Sequence, residues 1–116
     1  MTDPLQKSLD RISRVRGVAG SMFVAADDGL AVAQLLMEGV NAKALAAFAA
    51  SLARKVSGAA AATGAGRVKF IQMQTGSGIL LVCVGGELLV AAVADAGVNV
   101  GLARLEMMRA MEAVGT

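Results

Sequence analysis

Two stretches in the second half of the chain, Ile79-Leu80-Leu81-Val82-Cys83-Val84 and Leu88-Leu89-Val90-Ala91-Ala92-Val93-Ala94, are apolar at every position. Successive side chains of a strand point to opposite faces, so a strand with one wet face alternates apolar and polar residues. A run with no alternation is a strand covered on both sides. Both runs are too short for ordinary helices. Gly85-Gly86-Glu87 between them and Thr75-Gly76-Ser77-Gly78 before them have the composition of hairpin connections. The chain therefore contains the middle of a sheet, and its remaining residues must supply a layer for each face.

Three helices are available for those layers. Asp3 ahead of Pro4 is a helix start, with Leu5, Leu9, Ile12 and Val15 following at helical spacing and Gly17 ending the element. Asn41 caps a second helix that runs to about Thr63, where Gly64-Ala65-Gly66 stops it. On a helical wheel, Leu45, Phe48, Ala49, Leu52, Val56 and Ala59 share one face, which is expected to lie on the sheet. The opposite face holds Lys43, Ala47, Ala50, Ser51, Arg54 and Gly58. Those small residues leave it open to close approach by another helix or a partner. After a loop at residues 95–101, Leu102, Leu105, Met108, Met111 and Val114 form the expected inward stripe of a last helix.

The other strands follow from turn chemistry. Residues 18–26 and 30–37 read as a hairpin closed by Asp27-Asp28-Gly29. The segment Arg67-Val68-Lys69-Phe70-Ile71-Gln72-Met73-Gln74 alternates, slips phase between Phe70 and Ile71, and carries charged and amide groups, as an edge strand does. The element order is α-β-β-α-β-β-β-α. The fold class is an α/β (α+β) three-layer sandwich. Its mostly antiparallel five-stranded sheet has the long helix on one face and the two terminal helices on the other. Residues 1–116 read as one domain, with no linker or internal repeat.

The chemistry of the chain is sparse. It has no His, and its one Cys, Cys83, sits inside an apolar run, where a buried, inert thiol is expected. Zinc sites and His-dependent catalysis are thereby excluded. Asp27-Asp28 before Gly29 is turn chemistry. Gly64-Ala65-Gly66 and Gly76-Ser77-Gly78 lack the Lys and Ser/Thr of a phosphate loop. No catalytic, cofactor-binding or metal-ligating residue is assigned, and the reading is not an enzyme. Eleven basic residues against nine acidic, with 3% aromatic content, argue against a nucleic-acid partner. The first residues lack the order of a signal peptide, and no apolar run reaches the roughly 18 residues of a membrane span. A soluble, cytoplasmic protein is expected.

Several local strings carry a family resemblance. They are Val15-Arg16-Gly17-Val18-Ala19-Gly20 entering the first strand, Asp27-Asp28-Gly29-Leu30 at the first hairpin, the Ala-rich middle helix, and Val98-Asn99-Val100-Gly101-Leu102-Ala103-Arg104 opening the last helix. From about residue 5 to 114 the chain resembles the roadblock/dynein light-chain family, in its stand-alone prokaryotic type, similar to bacterial gliding-motility GTPase regulators. The resemblance implies the same sandwich, and a homodimer whose third strands join into one sheet with the middle helices side by side. The expected dimer interface is then Arg67, Val68, Lys69, Phe70, Ile71, Gln72, Met73 and Gln74. It further implies a regulator of a Ras-like small GTPase, activating or scaffolding, that binds through the middle-helix face at Lys43, Ala47, Ala50, Ser51, Arg54 and Gly58. Arg54 or Arg67 is a candidate to meet a phosphate or an acidic patch, set against the plainer reading of a solvated surface arginine. The alternatives are a structural adaptor without effect on GTP turnover and, ranked last, a small-molecule sensor, which needs a polar-lined cavity.

Overall fold

In the computed structural model, residues 3–115 are described, and Met1, Thr2 and Thr116 lie outside that description. The elements are α1 (Pro4–Ser13), β1 (Val18–Ala25), β2 (Ala31–Leu36), α2 (Ala42–Ala62), β3 (Phe70–Thr75), β4 (Gly78–Val84), β5 (Leu88–Ala94) and α3 (Val100–Ala113). The order is the one read from the sequence. Side-chain oxygens cap all three helices: Asp3 accepts from the Leu5 N–H, Asn41 from Ala44 and Asn99 from Leu102, at 2.9–3.0 Å. Each such cap is worth about 1 kcal/mol. No helix among the described residues is long and apolar enough to cross a membrane.

The sheet runs β2-β1-β5-β4-β3, with every neighbouring pair antiparallel. The two unbroken apolar runs are β4 and β5, both internal, and β1 joins them as the third inner strand. Their side chains split between two cores. Phe23, Leu81, Cys83, Val90 and Ala92 face α1 and α3, whereas Met22, Val24, Leu80, Val82, Leu89 and Ala91 face α2. Ser21, fully buried, is within reach of the Ser13 hydroxyl and the Leu9 carbonyl, so its hydroxyl is not stranded in the core.

The packing face of α2 differs from the expected one. Ala46, Ala49, Ala50 and Ala53 lie on the sheet, while Leu45, Leu52 and Val56 are half-buried at its flank, Phe48 is 47% exposed and Ala59 is exposed. The reason is volume. The sheet face beneath already carries Met22, Val24, Leu80, Val82 and Leu89, so methyl groups complete the layer and a second row of bulky side chains would overfill it. The same correction applies to α3. Ala103, Met107, Ala110 and Met111 are buried, Val114 is partly so, and Leu102, Leu105 and Met108 face outward.

β3 lies at the sheet edge, paired among the described residues only with β4. It starts at Phe70, so Arg67, Val68 and Lys69 precede the strand, although the Lys69 carbonyl still accepts from the Val84 N–H at 2.9 Å. The apparent slip at Phe70-Ile71 is not a break in register, which runs unbroken from Phe70↔Cys83 to Thr75↔Gly78. Phe70 packs with the α1/α3 core while Ile71 and Met73 pack with the α2 core, and both sides of this edge are partly covered.

Gly17 is where the two ends of the fold meet. It has φ +96°, and a Cβ built there would stand 2.9 Å from Val98 Cα and 3.0 Å from Asp95 Oδ1. The Asp95 N–H donates to the Gly17 carbonyl at 2.9 Å. Gly17→Ala combines an unfavourable backbone region with a backbone clash, and is expected to cost about 2 kcal/mol or more in denaturant unfolding. Ala50→Glu places an unpaired carboxylate between α2 and the sheet. A loss on the order of 3 kcal/mol or more is expected in the same measurement, because the side chain it replaces is fully buried.

Candidate protein-interaction surface

The outward rotation of the bulky α2 residues builds an apolar surface. Leu45, Phe48, Leu52 and Val56 recur along one flank of the helix, and at Leu45 and Phe48 that flank meets Met73 of β3. Leu45 and Phe48 share a shallow groove of about 260 Å³ with Met73, Ile79 and Leu80. Leu45, Leu52, Ile71 and Met73 pack at the rim of the α2 core, so apolar side chains of both the helix and the strand edge border this side of the fold. Beyond β3 its outward backbone groups have no strand partner among the described residues. An apolar patch beside an open sheet edge is a surface suited to association with another protein.

The sequence-derived interface residues divide along this surface. Phe70 to Gln74 form the edge strand itself, with Ile71 and Met73 toward α2, and Phe70 on the opposite side, where the Arg104 guanidinium lies 5.1 Å from its ring centroid. Gln72 and Gln74 are exposed, as are Arg67 and Lys69. Arg67 leans back over the fold and donates to the Gly85 carbonyl at 3.4 Å.

The six α2 candidates do not form one open face. Lys43, Ala47, Arg54 and Gly58 are exposed and Ser51 is half-buried, but Ala50 is fully buried against the β1–β2 turn, near Gly29, and is closed to any partner. Arg54 is pinned to that hairpin by donating to the Ala26 carbonyl at 3.1 Å. Thus α2 has two separate flanks, one with Arg54 beside the β1–β2 turn and one with Phe48 beside β3. The second flank was assigned to the core by the wheel. The signal that could have found it is a double stripe: bulky residues at 45, 48, 52 and 56 run alongside alanines at 46, 49, 50 and 53. Only one stripe can face the sheet.

The remaining chemistry is quiet. Burial pushes the Cys83 thiol up from its ordinary value, with the nearby Arg104 charge opposing that shift, so the sulfur is held as the neutral thiol. Asp28 Oδ1 accepts from the Leu30 N–H at 3.0 Å, which closes the first hairpin.

The chain is similar to known proteins in sequence and in fold. An uncharacterized protein of Methanocaldococcus jannaschii is 31% identical over 110 residues, covering 95% of this chain and 96% of its own length. Myxococcus xanthus MglB superposes with a TM-score of 0.84 at 16% identity, over 95% of this chain and 90% of that one. The gliding protein MglB of Thermus thermophilus does so with a TM-score of 0.81 at 22% identity, over 96% and 85%. At these identities the structural likeness speaks to the fold. The Roadblock/LC7 domain family matches residues 5–95. With the sandwich, the open third strand and that match together, the chain belongs to the Roadblock/LC7 domain family.

Proposed function

We propose that this chain acts as a single Roadblock domain without enzymatic activity, which forms a homodimer in the cytoplasm and regulates a Ras-like small GTPase. The observation that carries the reading is the exposed Phe48 flank of α2 lying beside the open edge of β3. In a twofold dimer the same surface serves both protomers. β3 of one protomer pairs with β3 of the other, using the residues from Arg67 to Gln74, and the two Phe48 flanks cover each other. The fold likeness to MglB proteins supports a regulatory role over a catalytic one. The GTPase then docks on the outer α2 residues Lys43, Ala47, Ser51, Arg54 and Gly58, with Ala50 removed from that set.

One observation favours the adaptor reading, in which the partner is held without effect on GTP turnover. Arg54 gives one N–H to the Ala26 carbonyl, which fixes its guanidinium beside the β1–β2 turn instead of leaving it to swing as a mobile finger onto a phosphoryl group, while its other donors stay open.

Two measurements test these points. Phe48→Glu adds charge at the proposed helix contact while leaving the monomer core untouched. Light scattering is expected to show a shift from dimer to monomer, with the melting temperature of the monomer fold displaced by no more than a few degrees. A wild-type monomer would refute the homodimer. In the second, the source organism's small GTPases, loaded with GDP or a GTP analogue, are mixed with the wild-type chain. Nucleotide-dependent co-elution is expected. Changed GTP hydrolysis then marks a regulator, unchanged hydrolysis marks an adaptor, and no binding to any GTPase refutes the GTPase reading.

A further inference from the structure

An open cleft of about 620 Å³ lies on the other flank of α2, between the helix's C-terminal half, the 64–67 turn and the β4–β5 turn. That volume is within the range of roughly 300–1,000 Å³ typical of ligand sites. Its floor is apolar, formed by Val84 and the edge of Ala53 with the fully buried Ala50 and Leu89 behind them. Gly64 and Gly66, at φ +72° and +91°, leave its mouth uncovered: a Cβ built on either meets nothing within 4 Å.

Two arginines stand over this floor from different elements. Arg54 on α2 donates to the Ala26 carbonyl and Arg67 donates to the Gly85 carbonyl. Those contacts orient each guanidinium while leaving most of its five N–H donors for another acceptor. Among the described residues neither forms an ion pair, which is also true of Arg11, Arg16 and Arg104, and what sets Arg54 and Arg67 apart is that both line one cleft. Two oriented, unneutralised cations call for an anion, and planar guanidinium matches carboxylate in geometry. The apolar floor calls for more than a bare anion, since a hydrated phosphate has nothing to place there.

We infer that this cleft binds a carboxylate carried on an aliphatic stem, supplied by an acidic, aliphatic peptide segment of a partner protein. The inference shares Arg54 with the proposed GTPase-docking residues and Arg67 with the proposed dimer strand, and its test contains no GTPase and reads assembly separately by light scattering, so the readings fail separately. The probes are a short capped peptide of alternating Leu and Glu, its Leu-Gln counterpart, octanoate and inorganic phosphate, each titrated into the full ¹⁵N-labelled chain. The Leu-Glu peptide is expected to shift the amide signals of Gly64, Gly66, Gly85 and Gly86 to saturation. The Gln peptide, and the Leu-Glu peptide on R54Q/R67Q, are each expected to bind at least about tenfold more weakly. Light scattering and circular dichroism check that R54Q/R67Q keeps its fold and assembly, and the Gln peptide on the wild-type chain decides the charge requirement even if that variant does not. Equal binding of the Gln peptide, equal binding of phosphate, or shifts confined to other surfaces would overturn the inference. Octanoate binding at these glycines without peptide binding would overturn the peptide and identify a free aliphatic carboxylate as the ligand.

Discussion

A sheet whose three inner strands are apolar on both faces has to be roofed twice, and most of this structure follows from that demand. β1, β5 and β4 each send side chains into two cores, and neither core exists until a helical layer closes it. The lower layer is made by α1 and α3 together, and the upper one by α2 alone. Gly17 and its contact with the β5–α3 loop tie the start of β1 to the start of α3. Two of the strings that carry the family resemblance, around Gly17 and around Val98, therefore meet in space because the lower roof needs a fixed joint there. Their pairing is a matter of architecture before it is one of function.

The upper roof is thin. A buried methyl-sized group contributes about 0.8 kcal/mol, against roughly 1.5–3 for a fully buried Leu, Ile or Phe side chain. Ala46, Ala49, Ala50 and Ala53 let the helix approach the sheet closely, but they bring little apolar area each. The larger side chains next to them are displaced to the flank, and Phe48 in particular remains half in solvent. In α3 the inward face mixes Ala103 and Ala110 with Met107 and Met111, and Leu102, Leu105 and Met108 are likewise left exposed. In both helices bulky apolar side chains are left at the surface.

The elements were legible because their signals are local. Unbroken apolar runs fixed β4 and β5 as inner strands, Asp3 and Asn41 marked helix starts that the structure retains, and Gly64 with φ +72° stops α2 where expected. Edge character at β3 was legible from its charged and amide groups. The orientation of the helices was not. A wheel ranks residues by hydrophobicity, so it sends Phe48 and Leu105 inward, whereas the choice between Ala and Phe at the sheet depends on how much volume the strands have already placed there. That is a property of three strands distant in sequence, and no window along α2 contains it. The same blindness put Ala50 on a partner face, and it hid the cleft, whose walls come from α2, the 64–67 turn and the β4–β5 turn.

The thin upper roof bears directly on the proposed dimer. Ordering α2 fixes the backbone of 21 residues, at a cost of about 1–2 kcal/mol each, against which the alanine contacts alone are small. Helical hydrogen bonds and the half-buried Leu45 and Leu52 supply part of the balance. Covering the Phe48 flank in a partner adds more, and a partner that binds only the folded helix stabilises it by mass action. In the proposed dimer, association thus adds stability to a helix that the single chain already forms. Because Arg54 is on the same helix, on the flank away from Phe48, whatever steadies one side of α2 also fixes the cation on the other. A peptide site there does not need a separate path to the dimer interface; the helix itself is the shared element.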